Sequence, residues 1–133
     1  MPVASAAPRD TVLVVEDDES VGVLLTLLLA SVAPRVLRAR NGAECLRVSQ
    51  ANPGAIALVI MDCGLPDVNG GALCHRLRET GPGLPVLLTS GRTHPGVVQR
   101  LAADGPAEFL PKPYLPSEAM RRFRALLPAR AAA

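Results

Sequence analysis

The sequence predicts an α/β fold in which a parallel sheet of five strands is covered by helices on both faces. Three observations predict it. Short apolar runs rich in β-branched residues recur along the chain, and they are too unbroken for strands with one wet face. Segments with apolar residues at helical spacing alternate with those runs, and Gly, Pro and Asn clusters punctuate the joins. The 133 residues are one domain's worth, and with 49% hydrophobic and 20% charged residues the profile of a disordered chain is excluded.

The first strand is residues 11–15, Thr-Val-Leu-Val-Val, expected inside the sheet. Asp18 or Ser20 can cap the helix that follows, whose apolar positions Val21, Leu24, Leu25, Leu28 and Leu29 hold helical spacing until Pro34 stops it. Its apolar run, residues 21–30, is half the roughly 20 residues that span a bilayer and reads as a buried helix. Residues 35–39 make a second strand, Asn41-Gly42 opens a helix over 43–51, and Asn52-Pro53-Gly54 closes it. A strand over 57–61 ends on Asp62, and a loop over 65–71 leads to a helix over 71–79 that Gly81-Pro82-Gly83 terminates. Residues 85–89 form the fourth strand, 96–103 a weak helix, 107–110 the fifth strand and 116–127 a last helix with an Arg-rich face. The expected organisation is a flexible segment over 1–9, one domain over 10–128 and a tail over 129–133.

Several functions are disfavoured by composition. A net charge of +2, from 13 arginines and one lysine against 12 acids, is too balanced to imply nucleic acid as a direct partner. Aromatics at 2% with no tryptophan argue against a surface of stacking rings. Cys45, Cys63 and Cys74 fit neither a disulfide framework nor a CxxC site and read as inert thiols in a reducing cytosol. The first ten residues lack a signal-peptide core and no stretch is a membrane segment, so a cytoplasmic location is expected.

In a sheet of this kind ligands bind at the carboxyl ends of the strands, beside the topological switch point. Strand one ends in Glu16-Asp17-Asp18, strand three in Asp62, strand four in Thr89-Ser90, and Pro111-Lys112-Pro113 follows strand five. Carboxylates gathered within a few ångströms repel one another by several kcal/mol at an effective dielectric near 20 unless a cation offsets them. Mg²⁺, with its preference for oxygen ligands and phosphate, suits such a site. The chain's single lysine stands here as a point charge for a phosphoryl oxygen, and a hydroxyl lies close by. Together these are the parts that stabilise an in-line phosphoryl transfer.

Four motifs carry a resemblance: Val12-Leu13-Val14-Val15-Glu16-Asp17-Asp18, Val59-Ile60-Met61-Asp62-Cys63-Gly64-Leu65-Pro66-Asp67-Val68-Asn69-Gly70, Pro85-Val86-Leu87-Leu88-Thr89-Ser90-Gly91 and Phe109-Leu110-Pro111-Lys112-Pro113. In this order the chain resembles, over residues 10–127, the receiver domain of two-component response regulators. The resemblance implies a flavodoxin-like, doubly wound (βα)5 three-layer sandwich with strand order 2-1-3-4-5. It implies that Asp62 accepts a phosphoryl group, and that Asp17 and Asp62, with the Gly64 carbonyl and the acidic partner Glu16, hold Mg²⁺. It makes Ser90 the switch hydroxyl, Phe109 the aromatic switch and Lys112 the phosphate-binding lysine, followed by a cis peptide to Pro113. The implied partners are a histidine kinase or histidine phosphotransfer protein, and a downstream protein on the surface of the fourth helix, fifth strand and fifth helix. Thr89 competes with Ser90 as the hydroxyl, but counting from Pro85 puts Ser90 just beyond the strand. Asp17 with Asp18 competes as the acidic pair, but Asp18 better suits the helix cap.

Other readings are weaker. An aspartyl phosphohydrolase similar to the haloacid dehalogenase family carries an Asp-x-Asp pair, whereas Cys63 and Gly64 follow Asp62. A receiver-like module that binds without phosphorylation is the remaining alternative, set against a complete motif set. His75 and His94 read as ordinary exposed histidines, and Arg121, Arg122 and Arg124 as a solvated helix face. Gly64 and Arg92, two residues after the acceptor and after the switch hydroxyl, offer no side chain suited to holding a hydrolytic water, which points to a long-lived phosphorylated form.

Overall fold

The computed structural model describes residues 9–92 and 95–128; residues 1–8, His94 and the tail 129–133 with Arg130 lie outside the described residues. Strands β1 (Thr11–Val15), β2 (Arg35–Ala39), β3 (Ile56–Asp62), β4 (Val86–Ser90) and β5 (Ala107–Pro111) alternate with helices α1 (Glu19–Leu29), α2 (Gly42–Ala51), α3 (Gly70–Thr80), α4 (Pro95–Ala103) and α5 (Pro116–Leu126). Every paired strand is parallel and the order is β2-β1-β3-β4-β5. The order reverses between β1 and β3, so their carboxyl ends flank the crevice where such sheets bind ligands.

Strands β1, β3 and β4 are buried at every position, which is why they read as near-continuous apolar runs. Alternation sends successive side chains to opposite faces. Val12, Val14, Leu58, Ile60 and Leu87 pack with Leu25, Leu29 and Phe123, on the side of α1 and α5. Leu13, Val15, Val59, Met61 and Leu88 pack with Cys45, Leu73, Cys74 and Leu101, on the side of α2, α3 and α4. Side-chain oxygens of Asp18, Asn41 and Asn69 cap α1, α2 and α3 by accepting from the N–H groups of Val21, Glu44 and Ala72.

Two expectations need correction. Helix α1 is not a fully buried helix: Leu25 and Leu29 are enclosed, but Leu24 is 39% exposed, Val23 43% and Leu27 68%. A helix laid on one face of a sheet buries one stripe, and α1 is apolar around more of its circumference than that stripe needs. Ser90 does not lie beyond β4 but is its last residue, because the ladder runs on to pair Ser90 with Pro111 and the Lys112 N–H donates to the Ser90 carbonyl at 2.8 Å.

At the opposite edge of the sheet sits a residue the apolar pattern does not reveal. Arg78 on α3 is 7% exposed. Its guanidinium donates to the carbonyls of Leu84 before β4 (3.0 Å), Pro106 before β5 (2.8 Å) and Leu101 on α4. A planar fork of donors suits three converging carbonyls as no other side chain does. Replacing Arg78 by Leu is expected to lower the unfolding free energy by about 2 kcal/mol, since buried acceptors lose a charged donor. Urea denaturation measures this, and Arg78→Lys should recover part of the loss.

Candidate functional site

Three strands deliver the charged groups to one edge. Glu16 continues β1, where its N–H donates to the Ala39 carbonyl at 3.0 Å. Its carboxylate is 2% exposed: Oε1 accepts from Lys112 Nζ at 2.9 Å and Oε2 from the Asp18 N–H at 3.1 Å. Asp62 closes β3 at 7% exposure. Its Oδ1 accepts from the Gly64 N–H at 2.9 Å, while Oδ2 lies 3.6 Å from Lys112 Nζ. Asp17 faces solvent, and one carboxylate oxygen each from Glu16, Asp17 and Asp62 lies within 4.8 Å of the others. Asp18 stands apart, its Oδ1 accepting from the Val21 N–H at 3.1 Å, so the cluster is Glu16 and Asp17 with Asp62.

The charges are unequally placed. Burial pushes the Glu16 carboxyl up to about 7, against the pull of Lys112 and the Asp18 N–H. Burial also works against ionised Asp62, yet the Gly64 N–H and the Lys112 ammonium are among the groups that hold its carboxyl below the ordinary value. Burial pulls Lys112 down, but Glu16 and Asp62 more than offset it and hold its pKa above the usual lysine value. Three carboxylates against one ammonium leave an excess of negative charge lined by hard oxygen donors. That donor set fits a hard divalent cation.

Ser90 and Phe109 fall on the sheet face of Leu88, and Phe109 is half-buried in the cluster that includes Val97 and Val98 of α4. The Ser90 Oγ accepts from the Arg92 N–H at 3.0 Å. Thr89 takes the opposite face as the register partner of Asp62 and is 1% exposed. Lys112 and Pro113 are joined by a cis peptide. A Cβ on Gly64 would meet Asp62 Oδ1 at 3.7 Å, an ordinary contact, so this glycine stands directly beside the carboxylate.

The remaining candidates lie elsewhere. His75 is exposed on α3, Arg121 and Arg124 are exposed on α5, and Arg122 pairs with Glu108 of β5 at 2.8 Å. Burial raises the Cys45 thiol to about 12 and the Cys63 thiol to about 11, and Cys74 is raised as well, so all three stay protonated. Two groups near the site were not singled out by sequence. Asp67 bonds the start of α2 with both carboxylate oxygens. Tyr114 carries, among the described residues, a buried hydroxyl without a hydrogen-bond partner. Pro66-Asp67 marks a turn but not its contact, and the aromatic after Pro113 gives no sign of where its hydroxyl points.

A pH dependence follows from Glu16. Its folded pKa lies above the ordinary 4.5, so the folded state binds the extra proton, and this contribution to stability is complete below about 4.5 and lost as pH rises through about 7. Urea titrations in metal-free buffer should show wild type losing stability relative to Glu16→Gln across that window. Parallel curves for the two proteins would contradict it.

The family model for the response regulator receiver domain matches residues 12–124. The chain is 36% identical over 119 residues to response regulator MprA of Mycobacterium sp. (strain KMS), covering 87% of this chain and 50% of that protein. It is 33% identical over 104 residues to sensor kinase CckA of Brucella abortus (strain 2308), covering 78% of this chain and 11% of that protein. The chain thus spans half the length of one relative and a small part of the other. The crystal structure of the receiver domain from hybrid histidine kinase CckA superimposes with a TM-score of 0.72 at 30% identity, covering 89% of this chain and 99% of that one. The Vibrio cholerae chemotaxis protein CheY4 shares the fold, with a TM-score of 0.76 at 24% identity over 88% of this chain and 98% of that one. No helix among the described residues is long and apolar enough to cross a membrane. By the match of its sequence and the order of its strands, the chain belongs to the response regulator receiver domain family.

Proposed function

We propose that this domain takes a phosphoryl group onto Asp62 from the phosphohistidine of a histidine kinase or phosphotransfer protein and thereby changes its affinity for a downstream protein. The observation that carries the reading is the cluster itself: a 7%-exposed aspartate at the end of β3, 3.6 Å from an ammonium and grouped with two further carboxylates. In the transfer an Asp62 oxygen bonds to phosphorus as the donor's P–N bond breaks, and the donor imidazole leaves. Asp17 and Asp62, with Glu16 and the Gly64 carbonyl, would hold Mg²⁺, which when bound neutralises charge on the carboxylate and phosphoryl oxygens. Lys112 supplies the fixed positive charge for the transferred group.

The switch uses the neighbouring strands. Ser90 hydrogen-bonds the new phosphoryl group, Phe109 moves into the space so released, and the face of α4, β5 and α5 is remodelled. The domain acts in the cytoplasm, as the receiver of a regulator or a hybrid kinase. It spans residues 10–128.

Incubation with a small phosphodonor and Mg²⁺ should add one phosphoryl group, read by intact mass. Asp62→Asn should abolish the addition, and Asp17→Asn should weaken both Mg²⁺ binding and transfer; equal labelling of Asp62→Asn would sink the assignment. Ser90→Ala should accept the group yet bind a downstream partner no better when phosphorylated. Gly64→Asn, which places an amide able to orient water beside Asp62, should speed spontaneous loss of the group. Unchanged or slower decay would remove the expectation of a long-lived wild-type phosphoprotein.

A further inference from the structure

The loop between β3 and α3 carries Gly64, and one carboxylate of the loop is bonded to α2. Asp67 Oδ1 accepts from the Gly42 N–H at 2.8 Å and Oδ2 from the Ala43 N–H at 3.1 Å, so both oxygens are committed to the first turn of α2. The helix's own cap, Asn41, serves a different donor, the Glu44 N–H, at 2.8 Å. Negative charge is favoured at this end of a helix, and the Gly42 N–H leads the groups holding the Asp67 carboxyl below its ordinary range. Next to it Val68 occupies the space over Gly42, where a Cβ would come within 2.3 Å of Val68 Cγ1. Glycine at 42 therefore lets the loop lie directly on α2.

The loop is also fastened elsewhere: the Cys63 N–H donates to the Thr89 carbonyl of β4 at 2.9 Å, and Leu65 is buried in the core under α2, α3 and α4. The Cys63 carbonyl accepts from the Gly70 N–H at 3.4 Å, and Asn69 Oδ1 accepts from the Ala72 N–H at 3.1 Å to cap α3. Between the clamp and β3 lies Gly64, whose N–H holds Asp62 Oδ1 at 2.9 Å and leaves Oδ2 on the Lys112 side. A glycine has no side chain to anchor itself, so its position depends on these tethers.

We propose that Asp67 is a positioning residue for the chemistry of Asp62: by clamping the loop to α2 it fixes Gly64, whose amide sets the rotation of the Asp62 carboxylate and whose carbonyl completes the cation site. The inference rests on the reading of Asp62 as phosphoacceptor, and it makes a separate statement about the unphosphorylated, metal-free protein. Release of the clamp frees Gly64, lets the Asp62 carboxylate turn about its terminal torsion, and misaligns both the attacking oxygen and the cation ligands.

Three readouts on wild type, Asp67→Asn and Asp67→Ala test it. Hydrogen exchange of the Gly64 amide in metal-free protein should accelerate about tenfold in Asp67→Ala as its bond to Asp62 is loosened. Calorimetry with Mg²⁺ alone should show severalfold weaker binding, and labelling by a small phosphodonor at saturating Mg²⁺ should slow by about tenfold. Asp67→Asn, which keeps one acceptor oxygen, should fall between, and it carries the test if Asp67→Ala does not fold. A role limited to capping α2 would lower the thermal midpoint and leave Gly64 exchange and Mg²⁺ affinity per folded molecule at wild-type values; that result overturns the proposal. If wild type takes no label while Gly64 exchange and Mg²⁺ affinity respond as stated, the phosphoacceptor reading fails and the clamp stands.

Discussion

Repulsion among the carboxylates of Glu16, Asp17 and Asp62 has to be absorbed, and among the described residues the ammonium paired with members of this group is that of Lys112. Above the pH at which Glu16 ionises, one positive charge stands against three negative ones, and below it against two, so the edge of the sheet is short of cationic charge in either case. The shortfall is kept in place because each carboxylate is delivered by a strand end or the turn beyond it and cannot drift away. Lys112 bonds Glu16 at 2.9 Å and stands off from Asp62 at 3.6 Å, so the ammonium bridges two strands and retains donors for a further group. Burial raises the carboxyl of Glu16, at 2% exposure, whereas the Gly64 N–H and the Lys112 ammonium are among the groups that hold that of Asp62 below its ordinary value.

The scaffold makes that concentration of charge tolerable. Strands buried on both faces form a rigid floor, with one apolar layer under α1 and α5 and another under α2, α3 and α4. At the far edge Arg78 ties α3, α4 and the approaches to β4 and β5 together through backbone carbonyls. That fastening stands at the carboxyl end of α4, where Leu101 is also buried, whereas Val97 and Val98 nearer its amino end are only partly enclosed. Helix α4 is thus held more firmly away from the charged edge than beside it.

Much of this was legible in the sequence because the fold puts its chemistry at strand ends, and strands that are buried on both faces announce themselves as unbroken apolar runs. Glu16, Asp62, Ser90 and Lys112 all stand at the ends of those runs or just beyond them. Asp18 was separable from Glu16 and Asp17 because an N-cap has its own sequence position. What periodicity could not show was exposure where apolar residues outnumber buried sites, as at Leu24 and Leu27, or polar residues acting across long separations. Nothing in the residues around Arg78 signals its burial, and the contact of Asp67 with Gly42 joins a loop to a helix start 25 residues away. Such contacts depend on the packing of whole elements and leave no local pattern.

The most direct measurement is chemical trapping. Borohydride reduces an aspartyl phosphate to homoserine, so protein treated with a small phosphodonor and Mg²⁺, then reduced and digested, records where the acyl phosphate formed. Homoserine at position 62, absent when Mg²⁺ is removed, is the predicted result. Homoserine at position 17, 2-amino-5-hydroxypentanoic acid (the reduction product of a glutamyl phosphate) at position 16, or trapping at position 62 that is indifferent to Mg²⁺, would contradict the account of the site.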